Sequence, residues 1–214
     1  MLIDELKNIA RNNGIVGAGG AGFPAYAKMT DTVILNCVEC EPLLKLHRQL
    51  LATHTEEIIQ MLDEVRESFG AKEAVIGIKS EYVTTIKAIE EVIGDFPNVR
   101  ICALKAAYPM GDEVVLIYEA TGRVIKPGGL PIDENVVVYN VETMYNLYRA
   151  VHLNIPVTNK LVSIVGEIDH PLTVRVPLGT TVKEAISLAG KITVEDPAYV
   201  MGGPMMGRLG TENT

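Results

Sequence analysis

The chain of 214 residues has no tryptophan, and only three phenylalanines and eight tyrosines. That leaves too few rings to build a stacking platform for single-stranded nucleic acid. Positive charge is short as well: 19 Lys and Arg stand against 27 Asp and Glu, a formal net charge of -8. A duplex is densely anionic and needs a basic partner, so no nucleic-acid partner is expected. No apolar run approaches the roughly 18 residues of a membrane span, so no transmembrane segment is expected. The opening MLIDELKNIARNNG carries acids early and lacks the basic-then-apolar layout of a secretory signal. The expected location is cytoplasmic, or peripheral on the cytoplasmic face of a membrane complex. Cysteine is scarce: Cys37, Cys40 and Cys102 are all there are. An odd, small number argues against a disulfide scaffold, and three thiols cannot form a four-cysteine metal or iron–sulfur site. There is no internal repeat and no low-complexity tract.

What is present is ordinary globular composition, 48% apolar and 21% charged, in a length that suits one large domain or two modest ones. Leu2 to Asn12 has helical spacing, with Leu2, Leu6 and Ile9 on one face. Strands are expected at Thr32 to Leu35, Ala74 to Ile78, Val99 to Leu104 and Val136 to Val138. Helices are expected at Arg48 to Phe69, Tyr82 to Ile93 (ending at Gly94), Gly111 to Ala120 and Val141 to Val151. Strands alternating with helices imply an α/β fold, a Rossmann-like and mostly parallel sheet with helices on both faces. Beyond Pro156 the pattern changes. Leu161 to Val165 and Thr173 to Val176 read as strands joined by a turn around Asp169-His170-Pro171, and Thr180 to Ala189 as a helix closed by Gly190. Strand, turn, strand and helix open a small β-grasp domain. The boundary near Asn154 gives domains of residues 1–154 and 155–214. Met201, Met205 and Met206 read as core filler, and His47, His54, His152 and His170 as scattered surface or packing residues.

Two segments carry chemistry. Gly17-Ala18-Gly19-Gly20-Ala21-Gly22 fits G-x-G-x-x-G, but a helix precedes it where the dinucleotide fingerprint requires a strand. Glycines let the backbone approach a phosphate, a helix opening near Pro24 offers amides to an anion, and Lys28 adds charge one turn on. From these residues alone, a turn that merely permits tight packing is an equal reading. The second segment, Asn36-Cys37-Val38-Glu39-Cys40-Glu41-Pro42, follows a strand, where open α/β sheets bind ligands. Asn36 can donate and accept, and Glu39 or Glu41 can accept from ribose hydroxyls or a nicotinamide amide. Cys37 and Cys40 have redox-dithiol spacing. Two small buried residues are the preferred reading of that pair, and the flanking carboxylates would blunt Cys40.

Four segments together resemble the flavoprotein subunit of respiratory complex I. They are the glycine loop through Phe23-Pro24 with Lys28, then Asn36 to Pro42, Tyr108-Pro109-Met110-Gly111-Asp112-Glu113 and Val138-Tyr139-Asn140-Val141-Glu142-Thr143. Order and spacing agree over roughly residues 10 to 150. Glu39-Cys40-Glu41-Pro42, Tyr108 to Glu113 and Met201-Gly202-Gly203-Pro204-Met205-Met206-Gly207 are similar to the RnfC-like group, nearest its cobalamin-reductase and proline-reductase-associated branches. Leu161 to Gly190 resembles that group's SLBB-type β-grasp module.

The resemblance implies bound FMN, with NADH as the substrate stacked over it. Gly17, Gly19, Gly20 and Gly22 would line the phosphate and ring, and Lys28 would meet the phosphate or flavin edge. Asn36, Glu39 and Glu41 would hold the ribityl chain and the nicotinamide side. Gly111, Asp112 and Glu113 would close a wall, and Asn140 and Thr143 would touch the flavin phosphate. No catalytic acid or base and no metal ligand is implied. The family's arginines are replaced by Val16 and Ala18 and its aspartate by Val38, which implies a looser hold on phosphate or nucleotide. Its iron–sulfur cysteines lie downstream, so the chain would be the leading part of a longer NADH:acceptor oxidoreductase, inactive without them. Electrons would pass to those clusters or to partner electron-transfer or reductase subunits. The rival classes are a docking module without catalysis and a C-x-x-C thiol oxidoreductase.

Overall fold

The computed structural model describes residues 1–17 and 30–214. The chain divides into two compact units, residues 1–40 with 47–156, and residues 41–46 with 157–214.

The first unit is built on four strands: β1 (Thr32–Cys37), β2 (Glu73–Lys79), β3 (Val99–Leu104) and β4 (Val136–Asn140). All pairings are parallel, in the order β3-β2-β1-β4. The central β1 is buried at every residue. A parallel strand covered on both faces is apolar without alternation, which is why Val33-Ile34-Leu35 is a continuous run. The helices α3 (Thr55–Ser68) and α6 (Val141–Leu153) pack on one face, with α1 (Ile3–Asn12) against α6 and α4 (Val83–Val92) against α3. The opposite face carries α5 (Glu113–Thr121), whose Leu116 and Ile117 pack with Ile34, Val38, Val75 and Val136. Gly77 on β2 makes room there: a Cβ would sit 2.5 Å from Leu116 Cδ1. The α/β sheet with helices on both faces is therefore as expected from the alternation.

Three local expectations are corrected. The helix expected over Arg48 to Phe69 is two: α2 (Leu46–Thr53) and α3, separated at His54, whose φ is -130° and ψ 42°. Thr53 Oγ1 donates to the Gln49 carbonyl (2.9 Å) and Thr55 Oγ1 to the Leu51 carbonyl (2.8 Å), and such back-bonding favours a bend. Gly111 and Asp112 lie outside α5. Asp112 is its N-cap, accepting from the amides of Val114 (3.0 Å) and Val115 (3.3 Å). The buried face of α1 is Leu6 and Ala10, while Leu2 is exposed as the residue before the helix.

In the second unit, β5 (Asn159–Ile164) and β6 (Leu172–Pro177) form an antiparallel pair followed by α7 (Val182–Ser187). Val162 faces Val174 and Ile164 faces Leu172 on the core side, with Ile168, Ala185 and Ala189, while Ser163 and Thr173 share a hydroxyl bond of 2.8 Å on the outer side. Thr181 caps α7 reciprocally with Glu184. These residues form the small β-grasp core. The short hairpin β7 (Tyr199–Met201) and β8 (Arg208–Gly210) closes the unit. The methionines beside it are not core: Met201, Met205 and Met206 are all exposed, Met206 at 84%. Met201 ends the short strand β7, whose burial pattern is largely exposed, and Met205 and Met206 follow the Gly202-Gly203-Pro204 turn.

Candidate functional site

The strand order reverses between β1 and β4. In an open α/β sheet the crevice beyond the carboxyl ends of such neighbouring strands is where ligands settle. Asn36 and Asn140 are register partners at that place, the last pairing of the two strands. Asn140 is also the N-cap of α6, with extended backbone and no side-chain bond into the first turn. The positive end of the α6 dipole therefore faces the crevice without a side-chain cap, which suits an anion. Glu142 and Thr143 lie buried in that first turn. The helix amino end and the Asn140 carboxamide are donors that fit an anionic cofactor tail, while the Glu142 carboxylate in the same turn opposes it.

Asn36 is doubly engaged. Its Oδ1 accepts from the Val38 amide (3.0 Å) and its Nδ2 donates to the Gly111 carbonyl (2.9 Å). The Gly111 amide in turn donates to Cys40 Sγ (3.0 Å). Both faces of this glycine are thus tied to the segment leaving β1. Glycine is required at 111, because a Cβ would press into the Val38 carbonyl and lie 2.8 Å from Cys40 Sγ. Beyond it, Asp112 serves as the α5 cap and both Asp112 and Glu113 are exposed. Partial burial, then the Asp112 carboxylate, raises the Glu113 carboxyl above its ordinary value.

Glu39 is buried. Its Oε1 accepts from the His47 amide at the start of α2 (2.8 Å), and its Oε2 lies 3.7 Å from Arg48 Nε. Lys79 Nζ, at the end of β2, donates to the Glu39 carbonyl (2.7 Å). Arg48 stacks over Tyr82, 4.5 Å from the ring centroid, and Lys79 Nζ lies 5.7 Å from it. Burial, then the Glu39 carboxylate, pushes the Tyr82 hydroxyl up to about 12. Neither Arg48, Lys79 nor Tyr82 is marked by any sequence motif. Their one signal is position, Lys79 at a strand's carboxyl end and Arg48 at a helix start.

Glu41 belongs to the second unit, where its carboxylate accepts from the amides of Met205 (3.0 Å) and Met206 (2.8 Å). Gly19, Gly20, Gly22 and Lys28 lie outside the described residues, as do Ala18, Phe23 and Pro24. Gly17 is the last described residue before them. Val38 lies in the apolar core. Cys37 is wholly buried, and burial, then the Glu39 charge, raises its thiol far above the ordinary value. A protonated, enclosed sulfur cannot act as the attacking half of a dithiol, so the geometry is against the thiol-oxidoreductase reading. Among the described residues no helix is long and apolar enough to cross a membrane, and no three His, Cys, Asp or Glu side chains gather to hold a metal.

Residues 10–149 match the family of the Nuo51 FMN-binding domain, and residues 161–209 match the SLBB domain. The cobalamin reductase PduS of Salmonella typhimurium is 42% identical over 209 residues, which are 96% of this chain and 46% of that protein. One subunit of the Na(+)-translocating ferredoxin:NAD(+) oxidoreductase complex of Acetobacterium woodii is 32% identical over 212 residues, 95% of this chain and 48% of that one. A chain of the NAD+-reducing NiFe hydrogenase in its H2-reduced state superposes with a TM-score of 0.74 at 22% identity, covering 92% of this chain and 40% of its own. That last likeness is one of fold. The chain spans about half the length of the curated relatives it matches.

Proposed function

This chain belongs to the Nuo51 FMN-binding domain family, and from that premise we propose that it is the flavin-binding portion of an NADH:acceptor oxidoreductase. A general electron-transfer role agrees with relatives that are a reductase and a subunit of an oxidoreductase complex. The finer reading is that electrons pass from NADH through FMN to iron–sulfur centres or a partner reductase subunit. Residues 1–154 carry the flavin and residues 155–214 form the β-grasp module.

The observation that carries this reading is the pairing of Asn36 with Asn140 at the reversal of strand order, under the side-chain-free amino end of α6. The α6 dipole and the Thr143 hydroxyl attract the phosphate. Asn140 and Asn36 orient the polar tail, and the tethered Gly111 backbone fixes one wall. Gly17, Gly19, Gly20, Gly22 and Lys28 belong to this proposal on their sequence pattern alone, as residues that would let a phosphate come close. When bound, the flavin supplies hydride acceptance and one-electron release, chemistry that needs no side-chain acid or base.

The test is titration of the protein with FMN, followed by flavin fluorescence. Saturable quenching with one site per chain is expected. Fluorescence indistinguishable from free FMN would leave the docking-module reading in its place.

A further inference from the structure

Glu39 sits three residues beyond Asn36, with a side chain only 4% exposed. A carboxylate taken so far from water is costly unless it is paired and hydrogen-bonded. The structure surrounds it with two cations from different elements: Arg48 of α2 beside the carboxylate and Lys79 of β2 on the carbonyl of the same residue. Arg48 is held in turn. Its guanidinium lies on the Tyr82 ring, and its own carbonyl accepts from Thr85 Oγ1 of α4 (3.0 Å). Planar stacking with simultaneous ion pairing is available to arginine and not to lysine. The next residue, Cys40, receives the Gly111 amide, and the Gly111 carbonyl receives Asn36. The segment leaving β1 is thus fixed from one side by Lys79 and Arg48 and from the other by the 111 loop.

Resting on the flavin reading above, we propose that Arg48 and Lys79 are positioning residues of that site, which lock Glu39 at the end of β1 and set the charge a bound flavin meets. Arg48 and Lys79 bring two positive charges to the carboxyl ends of β1 and β2, opposed there by the Glu39 carboxylate and by Glu81, whose charge also reaches Tyr82. Reduction makes the flavin more negative, so each cation favours the reduced form and each carboxylate opposes it. No motif of the sequence singles out either cation, and only the meeting of α2, β2 and α4 creates the arrangement.

The experiment uses the full chain, loaded with FMN and free of it, as wild type, Arg48→Met, Arg48→Lys, Lys79→Met, Glu39→Gln and the Arg48→Met/Glu39→Gln double variant. The midpoint potential of bound FMN is read by spectroelectrochemical titration. Arg48→Met and Lys79→Met are expected to move it to more negative values, and Glu39→Gln to more positive ones. The double variant should return toward wild type, and Arg48→Lys should hold the potential while binding FMN more weakly. For Arg48→Met the FMN dissociation constant should rise on the order of tenfold, because the Glu39 segment that Arg48 holds is released. In the FMN-free protein, the double variant should melt above the sum of the two single losses, because neutralising both partners leaves no lone buried charge. Potentials that do not move, or that move in one direction for variants of opposite charge, would overturn the charge-setting role. Additive melting losses would overturn the pairing. A wild type that takes up no FMN would remove the flavin reading and the charge-setting role with it, and the melting cycle would still decide whether Arg48 holds Glu39.

Discussion

Gly111 shows what one missing side chain does. Its backbone is bonded on both sides, to Asn36 and to Cys40, and the space a Cβ would need is filled by the Val38 carbonyl and the Cys40 sulfur. Backbone cannot yield as the tip of a side chain can, so Gly111→Ala must shift the loop. It is expected to cost about 1–3 kcal/mol, as overpacking does, seen in urea unfolding, and to weaken FMN uptake in the same preparation. Cys37 makes a second prediction, on pH. Its thiol is neutral in the fold far above its ordinary value of 9.0, while in the unfolded chain it ionises near that value. The folded state therefore holds the extra proton, and stability is fully present below pH 9 and lost above it, at up to about 1.4 kcal/mol per pH unit. Tyr82 acts the same way between its ordinary value of 10.0 and about 12. Melting temperature measured from pH 7 to 11 should be level and then fall from near 9, and Cys37→Ala should delay the fall. The segment holding Cys37 was readable as a strand end near a ligand. The mutual grip of Asn36, Cys40 and Gly111 was not, because it joins residues 71 to 75 positions apart.

At the scale of elements, the strands and most helices could be read because their apolar periodicity is uninterrupted, and the whole course from β1 to α6 follows from it. The break at His54 could not. Leu50, Leu51, Ile58, Ile59 and Leu62 are all buried, so the apolar pattern runs through the interruption, and only the two flanking threonines hint at it. The Glu41 carboxylate is bound by the Met205 and Met206 amides, 164 and 165 positions along the chain, and no local pattern announces such a partnership. Helix α6 offers the sharpest element-scale test. Asn140 stands at its N-cap, where aspartate is as good a cap and adds a favourable charge to the dipole, worth up to about 1 kcal/mol. The same charge repels a phosphate. Asn140→Asp should leave the FMN-free protein at least as stable in a thermal melt, yet weaken FMN binding on the order of tenfold or more in a fluorescence titration. Equal losses in both measurements would mean that α6 needs the carboxamide for folding and not for a ligand.

For the whole molecule, the two compact units have separate cores. Ile34, Val75 and Leu116 anchor one, and Ile164, Ile168 and Ala189 the other. Units with separate cores need not unfold together, so a single midpoint is not a safe description of this chain. The second core is small, four buried residues with five partly buried apolar neighbours, and a core of that size provides only marginal stability. The lower transition in calorimetry is therefore expected to belong to residues 157–214. The flavin reading assigns the ligand to the other unit. FMN at a hundred times its dissociation constant stabilises the unit that binds it by about 2.7 kcal/mol and leaves a unit that does not bind it unchanged. Calorimetric scans with rising FMN should therefore show the upper transition climbing while the lower one stays in place. Ile168→Ala, in the small core, should move only the lower transition, to a lower temperature. If FMN moved the lower transition instead, the ligand would sit in the β-grasp unit, and Asn36 and Asn140 would lose their proposed role.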